Sequence, residues 1–502
     1  MPRIARLAAV AGALFAGIGT LAAQPAAAAA VAPRLVFLNV VAVDSHGDPV
    51  TELSDTDFQV QDSGKPQKII FFRHTDTRRQ QPAPLAAHEF SNRAGGDPAH
   101  ATVILFDLLN EHMDARGPAW NDLIHVLQPL ETSNSVYLYL LTVTGQLYAV
   151  HPLPDPESPV PPADAAPWTR QIKTELDQAM KAVFSVRPVE IDIDTQVRMT
   201  YAALDAVAQR MAGIPGRKNI VWITHGVPIA LSPAVTGTDW IDYTPFLRQL
   251  SERLDRLNVS IYPVQQIPPG MAMAGTPEAQ HSGLSSEDTL QQFARYTGGR
   301  ASQNSDIGAA VHQALNDVRT SYRVGYYPAP QKWDGKFHKV RVTCSRKGVR
   351  IQAKEGYYAW PEPPFDEQRQ RDALSAAIGD PVDSAEIGLR VTLTKDSAGE
   401  GSAGVLARMD TAEITLLHES ARYSGRLRIA IAPLAESGSP QKASVPVASM
   451  DLDLTSEQYA AAMKTGLSFS DKIKLPPGAK KLRVVVLDCT SGALGSLTVP
   501  LE

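Results

Sequence analysis

One short stretch changes from apolar to charged and constrains the fold more than any other. It is Ala101-Thr-Val-Ile-Leu-Phe-Asp107, in which the apolar run Val103–Phe106 meets a carboxylate. An apolar run of this length, bounded by polar signals, is typical of a strand buried on both faces of a parallel sheet. Open α/β sheets bind ligands at the carboxyl ends of such strands. Asp107 is therefore the first candidate site residue.

The same pattern returns further along the chain. Residues 219–224 and 259–264 are again short buried-type strands, and segments with helical periodicity occupy 195–212, 243–257 and 306–320. Strands that alternate with helices indicate a parallel sheet with covering helices. The sequence thus predicts, over residues 100–360, an α/β domain with a doubly wound, mostly parallel sheet and closing strands.

The flanking segments have a different pattern. Residues 34–73 predict a small N-terminal β unit, and the polar, proline-bearing residues 74–99 predict a linker. After a second predicted linker at 361–375, apolar residues recur with a period of two. Residues 376–502 are therefore expected to form a β-sandwich.

Residues 1–30 have the organisation of an export signal. Arg3 and Arg6 precede the apolar stretch Leu7–Ala23, and the alanine run Ala26–Ala30 offers cleavage sites. We expect a periplasmic or secreted protein with no transmembrane segment after signal removal; an anchor that stays uncut is the alternative. The formal net charge of -5 gives no electrostatic reason to expect a nucleic-acid partner, because nucleic-acid binding needs a basic surface.

Cys344 and Cys489 are the two cysteines of the sequence. In an oxidising compartment they could form one disulfide, and otherwise they are two apolar thiols. Both interpretations stay open, and two cysteines without a histidine pair predict no zinc site.

Several ordered motifs resemble those of an exported bacterial family, abundant in acidobacteria and related to the von Willebrand factor type A domain. The resemblance covers roughly residues 35–360. It depends on the segments Val40–Val50, Leu53–Phe58, Asp62–Gln67, Gly216–Gly226, Asn258–Val264, Tyr296–Arg300, Ser321–Pro328 and Lys354–Tyr358.

The resemblance implies a doubly wound sheet with a metal-ion-dependent adhesion site at its top. Asp107 matches the leading aspartate of that site, whereas Leu109 and Glu111 stand at the two serine positions. Thr195 and Thr200 are both candidates for the loop threonine. His225 occupies the expected second carboxylate position and is a poor ligand for Mg²⁺. The implied site is degenerate.

Two hypotheses follow for this site. In the first, Asp107, Asn110 and Glu111 form a rearranged oxygen site for Mg²⁺ or another divalent cation, with Thr224 or His225 nearby. In the second, no cofactor is held and the face binds by shape. Asp107 could also simply cap the segment that follows it.

The sequence contains no nucleophile elbow, phosphate-binding glycine motif or His-Glu-x-x-His motif. An acid–base pair of Asp107 and His225 at neighbouring strand ends, with Ser133 or Thr224 nearby, is the remaining route to a hydrolase, but a pair without an oriented nucleophile is a common coincidence. We expect instead a non-catalytic, adhesion-type protein whose top face, including Thr224 and His225, binds an unidentified protein or surface ligand. A hydrolase on that face, or a structural spacer with a lost site, is the alternative.

Two further features have functional and structural interpretations. Tyr326, Tyr327, Tyr357 and Tyr358 could form a recognition patch, but we favour packing with a polar hydroxyl edge. The proline-rich loop 152–167 could bind a partner as an extended segment, or be a tolerated surface insertion.

Overall fold

The computed structural model describes residues 34–76, 85–86, 88–93, 100–110, 113–127, 136–153, 174, 177–179, 181, 191–212, 214, 216–231, 239–266, 286–302, 306–361, 365–395, 401–435, 438 and 445–501. The predicted signal peptide and most of loop 152–167 lie outside these residues.

The strands, in chain order, are β1 Val36–Val43, β2 Phe58–Asp62, β3 Lys65–Gln67, β4 Ile69–Asp76, β5 Glu89–Ser91, β6 Ala101–Asp107, β7 Val136–Leu141, β8 Leu147–His151, β9 Lys218–Thr224, β10 Ala230–Leu231, β11 Ile241–Asp242, β12 Val259–Gln265, β13 Thr320–Tyr326, β14 Phe337–Cys344, β15 Arg350–Ala353, β16 Gly356–Tyr358, β17 Leu389–Lys395, β18 Ser402–Met409, β19 Leu417–Glu419, β20 Arg422–Leu434, β21 Val447–Thr455, β22 Leu467–Lys474, β23 Lys481–Asp488 and β24 Leu494–Pro500.

The α-helices are α1 Met113–Leu127, α2 Ile193–Arg210, α3 Thr244–Arg256, α4 Ser286–Thr297, α5 Ile307–Arg319, α6 Glu367–Gly379 and α7 Ser456–Thr465. Short 3-10 turns lie at Asp55–Asp57 and Thr411–Glu413.

The central unit contains a five-stranded sheet in the order β12-β9-β6-β7-β8. The first four strands are parallel and β8 is antiparallel to β7. Every residue of β6, β7 and β9 is buried, because helices α2, α3 and α4 cover one face and α1 and α5 the other. The continuous apolar runs of these strands are buried on both faces, as is typical of strands in parallel sheets.

The predicted fold class, a doubly wound, mostly parallel α/β sheet of the von Willebrand factor A type, is wrong for this chain. Six sheets are present in the described residues, and five of them are wholly antiparallel. Among the strands of the described residues, parallel pairing joins only β12, β9, β6 and β7. The error arose because long apolar runs dominate a sequence pattern, whereas the more numerous half-buried strands leave a weaker period-two signal.

The N-terminal unit consists of two four-stranded antiparallel sheets, β15-β1-β13-β4 and β16-β14-β2-β3. Strands that precede the central unit in the sequence therefore pair with strands that follow it. Leu38 of β1, for example, pairs with Val324 of β13. The two sheets enclose an apolar core. At its edge the hydroxyls of Tyr326 and Tyr357 both donate to Asp62 Oδ2 over 2.9 Å, so these tyrosines serve packing and internal hydrogen bonding.

The C-terminal unit packs the sheet β22-β18-β17-β5 against the sheet β19-β20-β23-β24, with β21 paired to β20. Its edge strand β5 comes from residues 89–91, within the segment predicted to be a linker. Helix α6 begins at Glu367, inside the other predicted linker, and packs on the outer face of β23.

Cys344 lies in β14 and Cys489 directly follows β23, and the two are not bonded to each other. Within the described residues, no helix combines the length and the apolar character needed to cross a membrane.

Candidate functional site

The candidate site lies at the carboxyl edge of the central sheet, where β6 ends at Asp107 and β9 ends at Thr224. The two strands are parallel neighbours, paired from Ala101–Lys218 to Phe106–Ile223, so their ends lie side by side. Helices α2 and α3 both begin at this edge, because each runs back along the sheet and is followed by a strand that returns to it.

Asp107 is fully buried, and four hydrogen bonds converge on its carboxylate. Oδ2 accepts from Thr224 Oγ1 at 2.8 Å, Asn110 Nδ2 at 2.8 Å and Trp222 Nε1 at 3.0 Å. Oδ1 accepts from the Asn110 backbone N–H at 3.1 Å. The pKa of Asp107 is raised because burial penalises the charged form more than these hydrogen bonds favour it.

Asn110 extends this network to α2. Its amide nitrogen also donates to Thr200 Oγ1 at 2.7 Å, and Thr200 in turn donates to the Gln196 carbonyl at 2.9 Å. Gln196 Nε2 donates to the Leu109 carbonyl at 3.3 Å. The segment after β6 is thus tied to one turn of α2.

The structure distinguishes the two candidate threonines. Thr200 is buried and belongs to the Asp107 network. Thr195 instead bonds Asp192, which caps the start of α2: its backbone N–H lies 2.9 Å from Asp192 Oδ1 and its hydroxyl 2.7 Å from Oδ2.

His225 follows Thr224, but its Nδ1 lies 3.0 Å from the Gln266 carbonyl, whereas Asp107 takes its hydrogen bonds from other residues. The contacts that place these two residues therefore do not orient them as an acid–base pair. Glu111 and Ser133 lie outside the described residues.

The predicted metal site, Asp107, Asn110 and Glu111, is brought together only in part by the described geometry. Asn110 directs its amide nitrogen, not its carbonyl, toward Asp107, so the pair acts as donor and acceptor. Among the described residues there is no group of three or more His, Cys, Asp or Glu side chains that could hold a metal ion. The metal site stays a prediction.

Sequence reasoning missed Trp222, whose indole N–H reaches Asp107 from the middle of a neighbouring strand. Within Ile220–Ile223, Trp222 is the one side chain with a polar donor, and a buried indole N–H usually finds a partner. That signal could have paired it with the nearest buried carboxylate.

Three exposed apolar side chains lie near the starts of α2 and α3 in the chain. Ile193 begins α2, Phe246 lies in the first turn of α3, and Trp240 precedes β11; they are 38%, 40% and 60% exposed. We refer to Ile193, Trp240 and Phe246 as the apolar patch. Neither Trp240 nor Phe246 was singled out as a site residue in the sequence, because a single exposed aromatic has no local signature.

Comparisons with known proteins give little further guidance. No family model matches the chain, and no curated protein matches it. Among solved structures, it is similar to a mutant of the PilB minor pilin from Streptococcus sanguinis, with a TM-score of 0.27 and 9% identity over 43% of this chain and 60% of that one. It is similar to the pilus adhesin SpaC from Lactobacillus rhamnosus GG, with a TM-score of 0.27 and 8% identity over 90% of this chain and 58% of that one.

A β-D-glucoside glucohydrolase from Trichoderma reesei also matches, with a TM-score of 0.14 and 10% identity, over 86% of this chain and 54% of that one. The chain thus spans somewhat more than half the length of each of these structures. Scores below 0.5 do not establish a shared fold.

Proposed function

We propose that this chain is a non-catalytic binding protein that holds a protein partner on the apolar patch of Ile193, Trp240 and Phe246. The observation that carries the proposal is that these three side chains are exposed and lie at or near the starts of α2 and α3. Both helices begin at the carboxyl edge of the central sheet, where open α/β sheets usually bind ligands. Apolar side chains that lie together on a surface are characteristic of interaction sites. Tryptophan is among the residues that contribute most to protein interfaces.

The surroundings of the patch favour a rigid binding surface. The Tyr243 hydroxyl donates to Asp194 Oδ1 over 2.7 Å and thereby joins the start of α3 to the start of α2. Arg198 pairs with Asp194 at 2.9 Å, and its guanidinium lies 5.0 Å from the centre of the Phe246 ring. Side chains already fixed before binding lose less entropy when a partner arrives.

The hydrogen bonds around Asp107 help to fix α2, which carries part of this surface. Thr200 and Gln196 of α2 bond Asn110 and Leu109, so the end of β6 and the first turns of α2 hold a fixed relative position. In this proposal Asp107 organises the edge through its hydrogen bonds, and the apolar patch contacts the partner.

The test is capture of a partner from an extract of the source cells by the immobilised protein. The double variant Trp240→Ser, Phe246→Ser should lose the captured protein. Tyr148→Ser is the control, because Tyr148 is an aromatic on β8, outside the patch, and is as exposed as Phe246.

Both variants should unfold at the wild-type temperature, since surface substitutions cost about 0.5 kcal/mol or less. Equal capture by the double variant and by wild type would refute the patch as the binding surface. A wild-type protein that retains nothing would favour the structural spacer.

A further inference from the structure

A cavity of about 860 Å³ lies where the N-terminal, central and C-terminal units meet, away from the apolar patch. Nine cationic and five acidic side chains line it, so its wall carries an excess of positive charge. Arg256, Phe337 and Arg369 in its wall are exposed, and the cavity is therefore reached from solvent.

Two arginines of the wall lie opposite each other on neighbouring strands. Arg323 of β13 pairs with Arg73 of β4 on one side and with Asn39 of β1 on the other, so the three side chains form a row across the sheet. Like charges placed directly opposite on paired strands destabilise a sheet. The arrangement therefore calls for a compensating interaction.

The existing contacts compensate these charges incompletely. Arg73 donates to the Ile414 carbonyl. The Arg323 guanidinium lies 4.2 Å from the centre of the Phe37 ring; its Nε is buried, and no acceptor from the described part of the chain bonds it. A buried donor without a partner costs free energy in the folded state.

Lys218 adds a third cation. It is 4% exposed, and its ammonium group donates to the Ile214 carbonyl at 2.7 Å. Burial lowers the pKa of Lys218 to about 8, and lowers that of Arg323 to about 10 with a further contribution from Arg73.

The acidic groups nearby are already engaged. Glu413 pairs with Arg93, and Glu386 accepts from the Leu494 backbone N–H at 2.9 Å. Burial raises the pKa of Glu413 to about 7 and also raises that of Glu386, which weakens both as counter-ions near neutral pH.

We infer that this cavity binds a small organic anion, whose carboxylate or phosphate group lies between Arg323 and Lys218 and whose apolar part packs on the aromatic wall. The planar guanidinium of an arginine suits both groups, because it can donate two parallel hydrogen bonds to them. Phe37, Phe337, Tyr357 and Tyr358 provide apolar surface beside the cations. The volume is within the range of small-molecule sites.

The test measures binding to the full-length mature protein, with the aromatic sulfonate 8-anilinonaphthalene-1-sulfonate as a fluorescent probe. Citrate and inorganic phosphate serve as competitors, and stronger displacement by one of them identifies the preferred anionic group. Each anion that binds the folded state should also raise the thermal midpoint.

Arg323→Met should weaken probe and competitor binding by about tenfold or more, because the charge-assisted hydrogen bonds are lost. Without anions, the midpoint of this variant should equal or exceed that of wild type, since an apolar side chain removes the desolvation cost of a buried cation whose Nε has no acceptor in the described part of the chain. Arg341→Met is the matched control, because Arg341 is an exposed arginine of β14 outside the cavity.

Two results would overturn the inference. One is that neither citrate, phosphate nor the probe raises the midpoint of wild type. The other is that Arg323→Met and Arg341→Met bind these anions equally well. Because the apolar patch is untouched by either substitution, the result is independent of partner capture.

Discussion

The hydroxyl of Thr224 donates a 2.8 Å hydrogen bond to Asp107 Oδ2 and so joins the ends of two neighbouring parallel strands. The same oxygen accepts from Trp222 and Asn110. A buried carboxylate that accepts from three side chains can be replaced only by another group that accepts at the same point.

Asp107→Asn should lower the free energy of unfolding by about 2–4 kcal/mol. Both oxygens of the Asp107 carboxylate accept hydrogen bonds, and in asparagine one of them is replaced by an NH2 group, which leaves at least one buried donor without its acceptor. Urea unfolding measures the change. Asp306→Asn is the control, since Asp306 caps α5 by accepting from the Ala309 N–H at 2.8 Å and asparagine caps equally well. Similar losses in both variants would contradict this role of Asp107.

Divalent cations should leave the thermal midpoint of wild type unchanged, because protein donors already occupy the Asp107 carboxylate. The measurement compares EDTA with millimolar Mg²⁺, Mn²⁺ and Ca²⁺. A rise in wild type that disappears in Asp107→Ala would instead establish the metal site predicted with Asn110 and Glu111.

Stability should fall as the pH rises from about 4.5 to about 7, in proportion to the titration of Glu413. Burial raises its pKa from 4.5 to about 7 in the folded state, so over this interval the folded chain retains a proton that the unfolded chain releases. The contribution is about 1–3 kcal/mol. Urea unfolding at pH 5 and pH 7.5 should show a smaller difference in Glu413→Gln than in wild type; an identical difference would exclude this group as the cause.

Asn92→Ala should destabilise the C-terminal unit by about 2–3 kcal/mol, because it removes three side-chain hydrogen bonds. Asn92 Nδ2 donates to the carbonyls of Ser384 and Ile387 at 2.8 and 2.9 Å, and its Oδ1 accepts from the Leu389 N–H at 2.8 Å. Hydrogen exchange should accelerate at β17. Gln61→Ala, at an exposed position of β2, should leave that exchange unchanged. Unaltered exchange in Asn92→Ala would show that the three Asn92 hydrogen bonds do not stabilise β17.

Gly299→Ala should destabilise the fold by about 3 kcal/mol or more, because the added methyl group would clash with backbone atoms, which cannot move aside as a flexible side chain can. A Cβ at residue 299 would lie 1.9 Å from the Ile261 carbonyl oxygen of β12. Gly379→Ala at the end of α6 is the control, because a Cβ there meets nothing within 4 Å. Thermal unfolding separates the two, and a stable Gly299→Ala would mean that α4 can move away from β12.

Sequence patterns predicted those strands and helices whose own residues carry a clear apolar run or a helical period. The apolar runs at 101–107, 219–224 and 259–264 correspond to β6, β9 and β12, and the helical segment at 195–212 corresponds to α2. Asp107 was found for the same reason, as the charged residue that ends such a run.

The remainder depended on contacts between distant residues. The pairing of Leu38 with Val324 follows from tertiary structure, since a strand's own residues do not specify its neighbour. The choice of Thr200 over Thr195, and the reach of Trp222 to Asp107, likewise required the packing of α2 and β9 on β6. Strand β5 is three residues long in a proline-rich segment, so it had no detectable periodicity.

The position of β5 has a consequence for how the chain is made and divided. A ribosome releases residues 89–91 long before β17, so this strand has to wait for its partner while nearly three hundred residues are added. A fragment that begins after residue 365 would expose the open edge of β17 to other copies of itself, and such edges promote aggregation. The segment after residue 365 is therefore a poor choice for separate expression unless residues 86–93 are supplied with it.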